Sequence, residues 1–203
     1  ESMRAELASA GIEGAEISGF RVLTAYASLD MIGTLQISLM LAIALSVVLI
    51  GIAFRSWKLA LVSVIPNSLP ILLTELFLYS SGIQLQLTTV ISLTIAFGIA
   101  VDDTIHFLAH YARARERGET IAQAVDTTLD RVGPALIATT LILIAGCAVV
   151  TVSVLPQVAL FGFLTVITLL AALIGDLIVL PALLIGGGMV FARWSERKNE
   201  IPA

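Results

Sequence analysis

Charge is scarce in this chain. Of 203 residues only 13% are Asp, Glu, Lys or Arg, against about 25% in a typical soluble domain. Cysteine occurs once, at Cys147, so no intrachain disulfide can form and the redox compartment is unreadable. Histidine occurs twice, at His106 and His110, too few for the multi-histidine sites of membrane metal oxygenases. The Gly186-Gly187-Gly188 run lacks a following Lys-Ser/Thr, so it is no phosphate loop. No Ser-His-Asp or Cys-His set is spaced to act as a nucleophile. Apolar residues, by contrast, make up 58%, and the mean hydropathy is +1.02. A soluble fold of this length cannot hide that much apolar surface. The chain therefore reads as an integral membrane protein. Soluble enzymes, nucleic-acid binders and disordered tails are excluded as classes.

Five apolar runs, at about 35–54, 59–80, 86–108, 134–154 and 158–185, reach the roughly 20 residues that cross a 30 Å hydrocarbon core. They are continuous rather than alternating, which predicts helices and not barrel strands. The fold class expected is an all-α polytopic membrane protein. In a strictly alternating topology Arg55, Lys58, Arg113, Arg115, Arg117, Arg131, Arg193, Arg197 and Lys198 fall on one side, which the positive-inside rule makes cytoplasmic.

Residues 1–33 are polar and mixed and read as the end of an extracytoplasmic domain, with a short strand and a turn near Ser18-Gly19. The chain starts at Glu1 with no basic segment followed by an apolar one, and we expect a piece of something longer. The bundle is expected over 34–188 and a charged cytoplasmic tail over 189–203. Between the third and fourth runs, Gly118 breaks a helix. Ile121, Val125, Thr128, Leu129 and Val132 then recur at helical spacing, predicting an amphipathic helix over 118–132 at the inner membrane surface. Gly133-Pro134 is expected to start the next span.

Four carboxylates lie inside apolar runs: Glu75, Asp102, Asp103 and Asp176. A charge at the bilayer centre costs at least about 2.5–3.5 kcal/mol, so each is a functional candidate. Asp102 precedes Arg113 by eleven residues, roughly 16 Å along a helix and half the core thickness. Asp102 and Asp103 therefore sit near mid-membrane. Two carboxylates this close in low dielectric do not both ionise easily, so they hold and release protons as a coupled unit. Gly98, one turn earlier, leaves space for a neighbouring helix or water.

His106 follows Asp102 by one further turn and can serve as its proton-shuttle neighbour. His110, beside Arg113, suits the interface. Asp102, His106 and His110 share one face, but neither a Cys ligand nor a third His joins them, and no metal or cofactor is expected. Thr139 and Thr140 either bond to their own helix backbone or form a polar wall beside the aspartates. Asp176 suits helix packing or the relay. Pro66 and Pro70, four apart, should kink the second span and free carbonyls. Glu75 lies near the outer third and snorkels outward.

Taken in order, several motifs resemble the resistance-nodulation-division (RND) superfamily. They are Pro66-Asn67-x-x-Pro70, Gly82 in a short outer loop, and Phe97-Gly98-Ile99-Ala100-Val101-Asp102-Asp103-Thr104-Ile105-His106-Phe107. Ala124-Val125, Gly133 to Thr140, Phe161-Gly162, Gly175-Asp176-Leu177 and Leu180-Pro181-Ala182-Leu183 follow. Within the superfamily the chain is similar to MMPL-type and hopanoid-type predicted lipid exporters, kin to Patched and the sterol-sensing domain.

The resemblance implies the five-helix block of one half of a twelve-helix transporter, from the C-terminal half, with a remnant of an α+β periplasmic domain. It implies proton-motive-force-driven export of lipids or other hydrophobic molecules at a bacterial inner membrane. Asp102 and Asp103 would be the proton relay, supported by Gly98, His106, Thr139, Thr140 and Asp176. The fragment's N-terminal end would be periplasmic and its C-terminus cytoplasmic. Expected partners are the substrate lipid, protons, the bilayer, the other half of the transporter and further copies in an oligomer, and no nucleic acid. The alternatives are a Sec accessory subunit of the SecD/SecF type, or a sterol-sensing-type regulatory module. The acidic pair argues against the latter.

Overall fold

The computed structural model describes residues 20–83 and 86–187, with side chains from residue 31 onward. The five apolar runs become five helices: α1 (Phe20–Ala53), α2 (Trp57–Ser80), α3 (Leu87–Glu116), α4 (Ile121–Val150) and α5 (Pro156–Gly187). Each holds a stretch long and apolar enough to cross a membrane, and there is no strand among the described residues. The expected strand and turn near Ser18-Gly19, and the tail over 189–203, lie outside the described residues.

The connections are short, and their local chemistry is legible. Ser56 caps α2 by accepting from the Leu59 N–H. Gly82 and Gly118 take positive φ just past α2 and α3, where a side chain would be strained. Thr120 and Gln123 form a reciprocal capping box at the start of α4. Pro156 stands in the first turn of α5.

Two boundaries differ from the sequence reading. Helix α1 starts at Phe20, so the helix is longer than the first apolar run, while the stretch apolar enough to cross a membrane is Met31–Ala53. The amphipathic stretch 118–132 and the fourth span are not separate helices: α4 runs unbroken through Gly133-Pro134. Pro134 removes one backbone hydrogen bond to Asp130, a loss that one long helix absorbs. The stripe itself is as patterned, with Val125, Thr128 and Val132 buried. It packs on protein: Val125 and Val132 share a core with Phe107, Leu108, Tyr111 and Ala114 of α3. The apolar face finds a better partner there than a membrane surface.

Helix α5 is the centre of the bundle, packing on α2, α3 and α4. Buried hydroxyls tie it in at three levels. Thr74 of α2 bonds Thr168 at 2.9 Å, Ser92 of α3 bonds Thr165 at 2.8 Å, and Thr104 of α3 bonds Asp176 at 2.6 Å. Two glycines permit close approach. A Cβ on Gly162 would stand 2.9 Å from the Cys147 carbonyl oxygen of α4, and one on Gly175 would stand 2.9 Å from the Pro66 carbonyl oxygen of α2. Outward, α1 shows a broad apolar face of Ile37, Met40, Leu41, Leu45, Leu49 and Ile52. Lipid rather than water is the solvent such a face requires.

Helix α5 widens once. Residues Gly175–Val179 form a π-turn in which the Leu180 N–H reaches back to the Gly175 carbonyl. Such turns hold one residue more than α geometry needs and concentrate at functional positions. Pro181 follows at once, and its missing N–H already breaks the α pattern at this level.

Candidate functional site: a carboxylate-bearing groove between α3 and α4

Asp102 lies 15 residues from Leu87 and 14 from Glu116, at the middle of α3. Helical rotation of about 100° per residue then sorts three consecutive positions by environment. Asp102 is exposed, Asp103 is half-buried and Thr104 is fully buried. The first two line a groove of about 590 Å³ that opens sideways between α3 and α4.

From α3 the groove receives Gly98, Asp102, Asp103, His106 and His110. From α4 it receives a stripe four residues apart, Arg131, Ala135, Thr139 and Leu143. Gly98 has nothing within 4 Å of a notional Cβ, so the groove stays open beside Asp102. His106 Nε2 lies 3.9 Å from Asp102 Oδ1, one helical turn away. That is ion-pair distance, longer than a hydrogen bond. His110 Nδ1 lies 3.1 Å from the His106 carbonyl oxygen. The arrangement offers two carboxylates and two imidazoles, groups that bind and release protons, along one wall of an open cleft. Among the described residues no group of three or more His, Cys, Asp or Glu is placed to hold a metal ion.

The other candidates separate. Thr139 lines the groove, but its hydroxyl lies 3.0 and 3.1 Å from the Ala135 and Leu136 carbonyl oxygens of its own helix, and its hydrogen is committed to that backbone. Thr140 is buried and takes no part in the groove lining. Asp176 is 2% exposed, with Oδ1 at 2.6 Å from Thr104 Oγ1; that same hydroxyl stands 2.9 Å from Asn67 Oδ1. Asn67 sits between Pro66 and Pro70 inside α2, all three buried. Asp176 thus stands on the far side of Thr104 from the groove. Glu75 is half-buried in a separate apolar groove beside Gln36, Met40 and Leu93.

Two participants went unnoticed in the sequence. Arg131 served there only to orient the chain, although counting back in fours from Thr139 leads to it through Ala135. Asn67 was noted as part of a motif, but not as a partner of Thr104. The 37 residues separating them leave no local signal for that contact.

A helical bundle with broad apolar faces and five helices long and apolar enough to cross a membrane defines a polytopic membrane protein, here with ionisable groups gathered in one cleft. The MMPL family model matches residues 5–201, and the chain belongs to the MMPL family, whose members are transporters. It is similar to membrane protein ActII-3 of Streptomyces coelicolor, with 26% identity over 153 residues, covering 73% of this chain and 21% of that protein. It is also similar to membrane protein MJ1562 of Methanocaldococcus jannaschii, with 25% identity over 138 residues, covering 68% of this chain and 36% of that protein. The chain thus spans about a fifth to a third of the length of these curated relatives.

Proposed function

We propose that the chain is the five-helix block of a proton-coupled exporter of lipids or other hydrophobic molecules, with Asp102 and Asp103 as the proton relay. One observation carries the reading: at the midpoint of a spanning helix, the Asp102 side chain is 73% exposed into an open groove and the His106 side chain 62%. A carboxylate left facing hydrocarbon costs at least about 2.5–3.5 kcal/mol. The groove therefore needs protein or water over it, and the other half of an RND-type transporter is the cover we assign. Gaining or losing a proton at the pair changes the charge in that interface by one unit, which is the lever for rocking one half against the other.

Gly98, His106 and Arg131 shape the groove's electrostatics and its clearance. The MMPL match supports this reading over a Sec accessory subunit or a sterol-sensing module. The orientation we adopt puts the connection bearing Arg113, Arg115 and Arg117 on the cytoplasmic side of a bacterial plasma membrane.

The test is Asp102→Asn in the full-length protein. Its expected outcome is normal membrane insertion with loss of proton-coupled export, read as substrate efflux from proteoliposomes under an imposed pH gradient. Undiminished export by that variant would overturn the relay.

A further inference from the structure

Behind the groove lies a second acidic site, closed off from it. Asp176 is 2% exposed and its Oδ2 has no hydrogen-bond partner. Its Oδ1 and the Asn67 side-chain oxygen both contact Thr104 Oγ1, at 2.6 and 2.9 Å. A threonine hydroxyl carries one hydrogen, so it cannot donate to both. Two arrangements let the hydroxyl donate once and accept once across these two contacts. In the first, a protonated Asp176 donates from Oδ1 to Thr104, and Thr104 donates to the Asn67 carbonyl. In the second, Asp176 is a carboxylate, Thr104 donates to it, and the Asn67 amide is turned over so that its N–H donates to Thr104. Amide orientation is assigned from such networks, so both are open to Asn67.

We propose that Asp176 is a second proton-binding site, read out through Thr104 by the orientation of the Asn67 side chain. One proton added at Asp176 Oδ1 forms one O–H bond, reverses the direction of both hydrogen bonds and turns the Asn67 amide by half a revolution. The orphaned Oδ2 fits this assignment: the unpartnered oxygen of a neutral acid costs less than that of a carboxylate. The readout has mechanical consequence because of where Asn67 stands. It lies between Pro66 and Pro70 in α2, and Pro70 lacks the N–H that would bind the Pro66 carbonyl. That same carbonyl abuts Gly175, next to Asp176. Protonation therefore acts at the point where α2 is least held by its own backbone.

The ionisable neighbours are few. On α3, Asp103 lies within electrostatic reach of Asp176, and Asp102 and His106 stand beyond it at the groove. On α2 the ionisable residues flanking Asn67 are Lys58 and Glu75, nine and eight residues away. Elsewhere in Pro156–Gly187 there are none. Asp103 is the ionisable neighbour whose charge the site feels.

The inference deepens the proton-coupled reading and rests on it for the proton's onward path; binding of the proton itself is tested separately. The full-length protein is reconstituted in phosphatidylethanolamine–phosphatidylglycerol vesicles and followed by infrared difference spectroscopy during pH titration. Expected is a carboxylic-acid C=O band that persists in Asp102→Asn/Asp103→Asn and disappears when Asp176→Asn is added. Thr104→Val should shift the band, and Thr104→Ser should leave it in place. A double-variant spectrum that Asp176→Asn does not change would overturn the proposal. So would a band that sodium removes at fixed pH, because the site would then hold a metal ion. Export that survives in Asp102→Asn/Asp103→Asn while the Asp176 band remains would sink the relay and leave the second site standing.

Discussion

Replacing Gly175 by alanine asks whether the contact between α5 and α2 is as tight as it looks. The added Cβ would stand 2.9 Å from the Pro66 carbonyl oxygen, and ordinary contact begins near 3.4 Å. Both sides are backbone, so no rotamer can yield, and the helices must separate by about 0.5 Å. Overpacking of this kind costs about 1–3 kcal/mol, a factor of roughly 5 to 150 in the unfolding equilibrium. The control is Gly146→Ala on the exposed face of α4, where nothing lies within 4 Å of the new methyl. That change should be neutral or stabilising by up to about 1 kcal/mol, since alanine is the better helix former. The assay is reversible denaturation of the purified full-length protein in mixed micelles. If Gly175→Ala matches the wild type, or if Gly146→Ala loses as much, the steric argument fails.

Two further outcomes follow from the groove. Gly98→Leu meets open space within this chain, so the five-helix block should fold normally, but the side chain would occupy the cleft beside Asp102. Most export activity should be lost at unchanged protein level in membranes, and wild-type efflux would refute the need for clearance there. Thr139→Val removes a hydroxyl already committed to its own helix. Stability should stay within about 0.5 kcal/mol and export near wild type; a large loss of transport would show the hydroxyl acting across the groove.

The number and placement of the five spans were readable because hydropathy over twenty residues is a sum that tertiary packing cannot reverse. The place of Asp102 near the middle of its helix was also readable, from its spacing to Arg113. Helix ends were harder. Pro134 looked like a start signal, but a proline costs a long helix only one hydrogen bond when burial of Val125 and Val132 favours continuity. Pairing was hardest. Thr104 with Asn67 and Asp176 joins positions 37 and 72 residues apart, and no periodicity encodes which faces of three helices meet. For Thr139 the two open readings divided as the backbone dictates: a β-hydroxyl in a helix reaches its own carbonyls first.

The wide turn at Gly175–Val179 has a consequence for how α5 tolerates insertion and deletion. It stores one surplus residue, equivalent to about 100° of rotation that the turn absorbs rather than passes downstream. Leu180 and Leu184, both buried, hold their phase with Thr168 across that surplus. Deleting a single residue inside the turn would return the segment to plain α geometry and leave both leucines in the core. Deleting one in the straight part of α5 could be absorbed by moving the bulge. The segment is a reading-frame buffer written in helix phase rather than in codons.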